Sequence, residues 1–310
     1  MTTALDQRAI AIAEPTYDGD WLVEHARHIG SSDTAAILGV SPYRQAYEVW
    51  LEKTGRTEPV ESTEIMRAGK EFEPPIAAKY RRTVDERLTY PVPMLESVEH
   101  PHLAATPDGM IEDVGRIVEL KLAHWSRAAR LGEEGTDEVF DDWLVQVHHQ
   151  MIVTGFTEAH VYVCIDPHSF RLYQVVRNEG LVESILRRLA DFWALVQADT
   201  APEIDFGHRS ARDILNTIRV TPTAAILDQP EFLAAANEYR ALGDQIRNLE
   251  SMRDARRMAL QSAMGESAYA DVVDPLGQPV YRLKRSQIEA KSYTVDRKAH
   301  TRLTVSEAKR

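Results

Sequence analysis

Thr106-Pro107-Asp108-Gly109 followed by Val118-Glu119-Leu120-Lys121 sets one carboxylate at a turn, then a carboxylate and an amine two positions apart in an apolar run. In a strand alternate side chains share a face, so Glu119 and Lys121 point one way while Leu120 turns into the core and leaves its carbonyl available. Hard Mg²⁺ takes oxygen ligands in near-octahedral geometry. Asp108, Glu119 and the Leu120 carbonyl can supply them together with water and a phosphate oxygen. Lys121 would orient or help deprotonate an attacking water and offset charge on a phosphorane-like transition state. Glu289-Ala290-Lys291 and Glu307-Ala308-Lys309 repeat the acid-to-lysine spacing, but neither lies in an apolar run behind a Pro-Asp-Gly turn. On pattern alone the set competes evenly with a solvated hairpin edge.

The elements that must position these groups follow from periodicity and punctuation. The first eighteen residues or so read as a loosely held arm, with order beginning near Trp21. Ser31-Ser32-Asp33 through Leu38 and Gly39 predicts a short capped helix with a C-terminal glycine. Ser41-Pro42 predicts the start of another, with Tyr47, Trp50 and Leu51 on its apolar face and Gly55 at its end. Ile65 to Arg82 predicts a third, with Met66, Phe72, Ile76 and Tyr80 facing a core and Pro74-Pro75 kinking or dividing it. Leu103 to Thr106 and Ile117 to Leu122 read as strands, with Gly109 and Gly115 marking the turns between. A helix over Trp143 to Thr154, strands over Ala159 to Ile165 and Arg171 to Val176, and a helix over Leu181 to Gln197 follow. The order indicates one α/β domain to about residue 205.

From Phe206 to Pro230 the pattern weakens into a linker. Phe232, Ala235, Tyr239, Leu242, Ile246 and Leu249 then keep a heptad-like spacing with Arg253 and Arg256 on the same seam, which predicts a helical hairpin or short coiled coil. Asp274-Pro275-Leu276-Gly277 between Tyr269 to Val273 and Val280 to Leu283 marks a hairpin. The end is basic, through Arg282, Lys284, Arg285, Lys291, Arg297, Lys298 and Arg302.

Composition excludes more than it selects. At 44% hydrophobic and 27% charged residues the chain of 310 can build one substantial core plus an appendage. The start lacks the succession of a secretory signal and no apolar run suits a membrane span, so the cytoplasm is the expected location. A single cysteine, Cys164, excludes an intrachain disulfide framework, and its apolar run predicts a buried, inert thiol. The net charge of -12 speaks against nonspecific DNA coating but not against a DNA enzyme, whose metal site must itself concentrate carboxylates. His148, His149, His100 and His102 lack the acid or cysteine spacing of a zinc site. Trp21, Trp50, Trp143 and Trp193 read as core or interface anchors.

Read together, five segments in order resemble the lambda exonuclease and YqaJ-type viral recombinase family, within the PD-(D/E)XK nucleases. They are Ile29-Gly30-Ser31-Ser32-Asp33 with Ala36 to Tyr43; Arg67-Ala68-Gly69-Lys70-Glu71-Phe72-Glu73; Ala105 to Gly109; Glu119-Leu120-Lys121; and Val145 to Met151 with Val153-Thr154-Gly155. The resemblance spans roughly Trp21 to Gln197. It implies a restriction-endonuclease-like core, an α/β fold with a mixed central sheet flanked by helices, to which the periodicity beyond Phe206 adds a C-terminal helical and hairpin appendage. Residues 1–20 are then an arm, 21–205 the nuclease domain, 206–230 a linker and 231–310 the appendage with its basic tail.

The resemblance also implies roles. Glu73 is the helical carboxylate supporting the metal, Asp108 and Glu119 with the Leu120 carbonyl are its ligands, Lys121 is the catalytic lysine, and Gln146 stands near the attacking water and scissile phosphate. Ser32, beside a helix N-terminus, and Arg27 would hold a 5′-phosphate, although the residues between them do not match the family in number. His148 stands where many relatives have a second glutamine. The implied activity is Mg²⁺-dependent exonuclease action on linear double-stranded DNA ends, 5′ to 3′, with Mn²⁺ as a substitute metal. The implied setting is phage-type recombination beside a single-strand annealing protein, in a homo-oligomer that is a ring trimer around DNA. The alternatives are an endonuclease of the same fold and a catalytically silent DNA-end-binding or assembly module.

Overall fold

The structure is a computed structural model that describes residues 8–16, 19–57, 64–217 and 226–286. It divides into two compact units, residues 1–217 and 218–310. Among the described residues no helix is long and apolar enough to cross a membrane.

The first unit is built on a mixed sheet of four strands, β4 (Gly109–Ile111), β5 (Arg116–Leu122), β6 (Glu158–Asp166) and β7 (Ser169–Val176), in that spatial order. β4 and β5 form an antiparallel hairpin closed by Gly115 at φ 62°, where an L side chain would be strained. β5 and β6 are parallel, and the crossover between them carries α5 (Trp125–Ala128) and α6 (Asp141–Thr154). β6 turns back on β7 antiparallel. A smaller antiparallel sheet, β1 (Ala9–Ala13), β2 (Met94–Ser97) and β3 (Ala104–Ala105), lies beside it in the same unit.

Alternation along β5 divides the core in two. Val118 and Leu120 pack with Ile76, Ala77 and Tyr80 of α4 (Glu64–Thr83), while Ile117 belongs to the larger cluster with α6 and α7 (Glu179–Gln197). Glu119 and Lys121 share the parity of Ile117 and therefore emerge on the α6 side. Around this core stand α1 (Gly19–Arg27), α2 (Ser31–Leu38), α3 (Ala46–Lys53) and α8 (Ala211–Thr217).

Several expectations are corrected. The supposed arm contains a strand, because Ala9 to Ala13 pairs with β2. α3 begins at Ala46 rather than at Ser41-Pro42, since the Ser41 hydroxyl accepts from the amides of Tyr43 and Arg44 and holds a turn there. α4 runs unbroken through Pro74 and Pro75, whose side chains lie exposed on the face away from the core. Phe72 is half exposed rather than buried. Gly109 is a strand residue, not a turn; a Cβ there would come 2.6 Å from Leu88 Cδ1, so glycine lets β4 bridge to Thr89. Leu103 to Thr106 contributes only the short β3, which pairs with β2. The linker holds α8. Cys164 is buried as expected.

In the second unit, where a helical hairpin or short coiled coil is expected, one continuous helix stands, α9 (Pro230–Met264), followed by the antiparallel hairpin β8 (Tyr269–Val273) and β9 (Pro279–Lys284). Gly277, at φ 80°, closes the Asp274 turn as its sequence predicts. Lys291, Arg297, Lys298 and Arg302 of the basic tail, and the two decoy acid-lysine pairs, lie outside the described residues.

Candidate active site and metal centre

A cavity of about 590 Å³ in the first unit gathers the candidate residues, lined at one end by Glu73, Asp108, Glu119, Leu120, Lys121 and Gln146. β5 delivers Glu119 and Lys121 to it by period-two alternation, and α6 faces them with two glutamines one helical turn apart. Glu119 is almost fully buried and completely engaged. Its Oε1 accepts from Lys121 Nζ at 2.6 Å and from Gln146 Nε2 at 2.7 Å, and its Oε2 accepts from Gln150 Nε2 at 2.7 Å. Lys121 Nζ also donates to Gln146 Oε1 at 3.0 Å and sits 5.8 Å from the Trp143 ring centroid, within reach of a cation–π contact.

Asp108, at the head of β4, accepts from the Leu120 amide at 2.7 Å. That bond turns the Leu120 amide away from β6 and toward Asp108. In a strand the carbonyl of the same residue points to the same side, so it lies outside the β5–β6 ladder as well. Glu73 reaches the same cavity from α4.

The electrostatics are those of crowded carboxylates. Burial, then Glu119 and Glu73, push the Asp108 carboxyl well above its usual range. Burial and Glu119 push Glu73 up to about 7, against the pull of Lys70 and Lys121. Burial alone would lower the Lys121 ammonium, but Glu119 and Asp108 outweigh it and raise its pKa. Among the described residues no three His, Cys, Asp or Glu side chains are gathered closely enough to enclose an ion by themselves. The groups fit a hard cation in a more open way. Asp108, Glu119 and the Leu120 carbonyl are all oxygen donors, and a cation held between them would relieve the repulsion of the two carboxylates beside the cavity they line.

The other end of the cavity is lined by His25, Ser31, Ser32, Ser41, Tyr43 and Arg44. Ser32 stands exposed in the first turn of α2, next to the N-cap Gly30. Arg27 does not line the cavity: it is turned outward, 67% exposed, and ion-paired with Glu24 at 2.9 Å. Arg44 is the arginine of this end. It reaches Asp33 at 3.4 Å and Glu52 at 2.6 Å, and its Nε is buried with no hydrogen-bond partner. Beneath it, Asp33 and Lys53 form a fully buried ion pair at 2.8 Å. Burial opposes the charge on Asp33, yet Lys53, His25 and Arg44 hold its carboxyl well below the usual carboxylate range.

Sequence reading missed Gln150 and Arg44 as site residues. Gln150 carried a findable signal, since its distance of one helical turn from Gln146 puts both on one face. His148 points away from the cavity: its Nδ1–H donates to the Leu144 carbonyl and its Nε2 accepts from the Asn178 amide, which pins α6 to the start of α7.

A mixed sheet clasped by helices, with an aspartate, a glutamate and a lysine meeting where β4 and β5 part, defines the restriction-endonuclease-like class. Residues 20–157 match the family model of the YqaJ-like viral recombinase domain. It is 26% identical over 259 residues to the uncharacterized protein YqaJ of Bacillus subtilis strain 168, covering 81% of this chain and 79% of that protein. In fold it is similar to the alkaline exonuclease LHK-Exo of Laribacter hongkongensis, with a TM-score of 0.50, 20% identity, and coverage of 58% of this chain and 92% of that one. The same exonuclease in complex with dAMP gives a TM-score of 0.50 at 19% identity.

Proposed function

We propose that this protein is a Mg²⁺-dependent exonuclease that hydrolyses linear double-stranded DNA from the 5′ end, in phage-type recombination beside a single-strand annealing protein. The observation that carries the reading is the convergence of Asp108, Glu119, Lys121 and Gln146 on one end of a single cavity whose other end presents Ser32 and Arg44. Asp108, Glu119 and the Leu120 carbonyl would hold the metal, with Glu73 in support. When bound, Mg²⁺ polarises a phosphoryl oxygen and makes water a better nucleophile. Lys121 spends two of its three ammonium protons on Glu119 and Gln146, and the third remains for a water or a phosphate oxygen. Gln146 thereby fixes the direction of that third proton.

At the far end a 5′-phosphate would meet the Ser32 hydroxyl, the amides of the first turn of α2 and the Arg44 guanidinium. Arg44 replaces Arg27 in this role. The 5′ direction otherwise rests on family resemblance. The test is digestion of linear duplex labelled at one 5′ end, with and without Mg²⁺, beside closed circular duplex. Release of labelled nucleotide from the linear substrate only, and only with metal, is expected. Equal cutting of circles would make the protein an endonuclease, and no cutting of either would leave an end-binding module.

A further inference from the structure

Among the described residues of its own unit, α9 is the one helix. Over its first half Phe232, Ala235, Tyr239, Leu242, Ile246 and Leu249 alternate spacings of three and four, which draws one apolar seam along the helix. The seam is open to solvent: Tyr239 is 53%, Leu242 48%, Ile246 56% and Leu249 63% exposed, and along α9 only Met264, at its end, is buried. A seam with a period of 3.5 matches another helix wound around it in a left-handed supercoil. Among the described residues no other helix offers such a face. α7, the one helix of comparable regularity, already buries Val182, Ile185, Leu189 and Phe192 in the first unit.

The charges choose the orientation. Arg253 and Arg256 continue the seam beyond Leu249, and among the described residues neither has an ion-pair partner, whereas Arg247 and Arg257 off the seam pair with Asp244 and Asp254. Two copies in parallel would stack Arg253 on Arg253 and Arg256 on Arg256. Two antiparallel copies avoid this. With Ile246 facing Leu242 and Leu249 facing Tyr239, Arg253 of one copy comes level with Ala235 of the other and Arg256 with Phe232. Glu231 and Glu238 flank that stretch, and the small Ala235 and Ala236 leave room for an arginine stem to lie across them. The overlap from Phe232 to Arg256 is about 36 Å long at 1.5 Å per residue.

We propose that α9 pairs with α9 of a second copy of this chain as an antiparallel coiled coil. The pairing is independent of the nuclease reading, since none of its residues lines the cavity. The test uses full-length Tyr239→Cys and Leu249→Cys chains, mixed and treated with a short bis-maleimide, with unaltered protein carrying only the buried Cys164 as control. A cross-linked dimer in the mixture, and none from Leu249→Cys alone, is expected. Cross-linking of Leu249→Cys alone would mean a parallel pair, and absence of a dimer in the mixture would mean that something other than a second copy covers the seam; either overturns the proposal. Independently, Ile246→Glu should halve the mass of the assembly in solution with tryptophan fluorescence unchanged. An unchanged mass would also overturn it.

Discussion

Asp33→Asn tests how the floor of the phosphate end is held. Asp33 and Lys53 are both completely buried and 2.8 Å apart, and Lys53 Nζ otherwise donates only to the His25 carbonyl, at 2.7 Å. Removing one member of a buried pair leaves a buried charge without its direct partner, here with only the more distant Glu52 to offset it, at a cost of roughly 3–5 kcal/mol. Asparagine keeps an oxygen for the Gly30 amide that Asp33 now caps at 3.1 Å, so the loss isolates the charge rather than the cap. In a unit of this size each kcal/mol moves Tm by about 2–4 °C, which gives a fall of roughly 6–20 °C. All five tryptophans, Trp21, Trp50, Trp125, Trp143 and Trp193, lie in the first unit, so fluorescence-monitored unfolding of the full chain reports this unit alone. The double variant Asp33→Asn/Lys53→Met removes both charges at similar volume and should recover most of the loss. A single variant less than about 1 kcal/mol below wild type, or a double variant worse than the single, would refute the argument that an unpaired buried charge is what matters.

Lys121→Ala should abolish cleavage while leaving folding, read by far-UV circular dichroism, and DNA binding largely intact; a wild-type digestion rate would dismiss the proposed centre. Ca²⁺ in place of Mg²⁺ should support DNA binding with little turnover, checked by gel shift and digestion side by side, because its looser coordination misplaces the reacting groups. Gln150→Leu removes one charge-assisted bond to Glu119 and should cost about 1.5–3 kcal/mol of transition-state stabilisation, a drop of one to two orders of magnitude in kcat/KM that an unchanged rate would contradict. Arg44→Ala should narrow the rate difference between 5′-phosphorylated and 5′-hydroxyl duplex, whereas Arg27→Ala should not; the reverse result would restore Arg27 to the site. Burial lowers His149 to about 4, so its contribution to stability is complete above the unfolded histidine value of about 6.5 and is lost as pH falls toward 4. His149→Gln should flatten that part of the stability curve in urea melts at stepped pH, and an unaltered slope would exclude His149 as its source.

What was legible in the sequence was whatever a short period encodes. Glu119 and Lys121 declare a shared face by their spacing alone, and the glycines after α2, α6 and the β8 turn mark ends that the backbone respects, at φ 78°, 71° and 80°. Ala9 to Ala13 was illegible because alternating alanine and isoleucine gives no polar face to read, and only pairing with β2 makes it a strand. Arg27 is expected at the phosphate through the family resemblance, although its spacing to Ser32 does not match the family. The last turn of α1 aims it outward, while the turn held by Ser41 swings Arg44 inward from the far side of α2. Such a reversal depends on how consecutive helices meet, which no local pattern records.

The same dependence explains why α6 matters more than its motif announces. Its Gln146 and Gln150 grip Glu119, and the residue between those grips on the adjoining face, His149, accepts from the Thr34 hydroxyl of α2 at 2.7 Å and donates to the Ala104 carbonyl of β3 at 3.0 Å. One helix therefore fixes the distance between the carboxylate end of the cavity and the start of α2, where the terminal phosphate is proposed to sit. An exonuclease that must present the first phosphodiester to its metal centre while holding the terminal phosphate needs that distance to be rigid, because a displacement of about 1 Å is enough to cost two orders of magnitude in rate. Buried, neutral and bonded at both ring nitrogens, His149 sets that distance without touching the substrate.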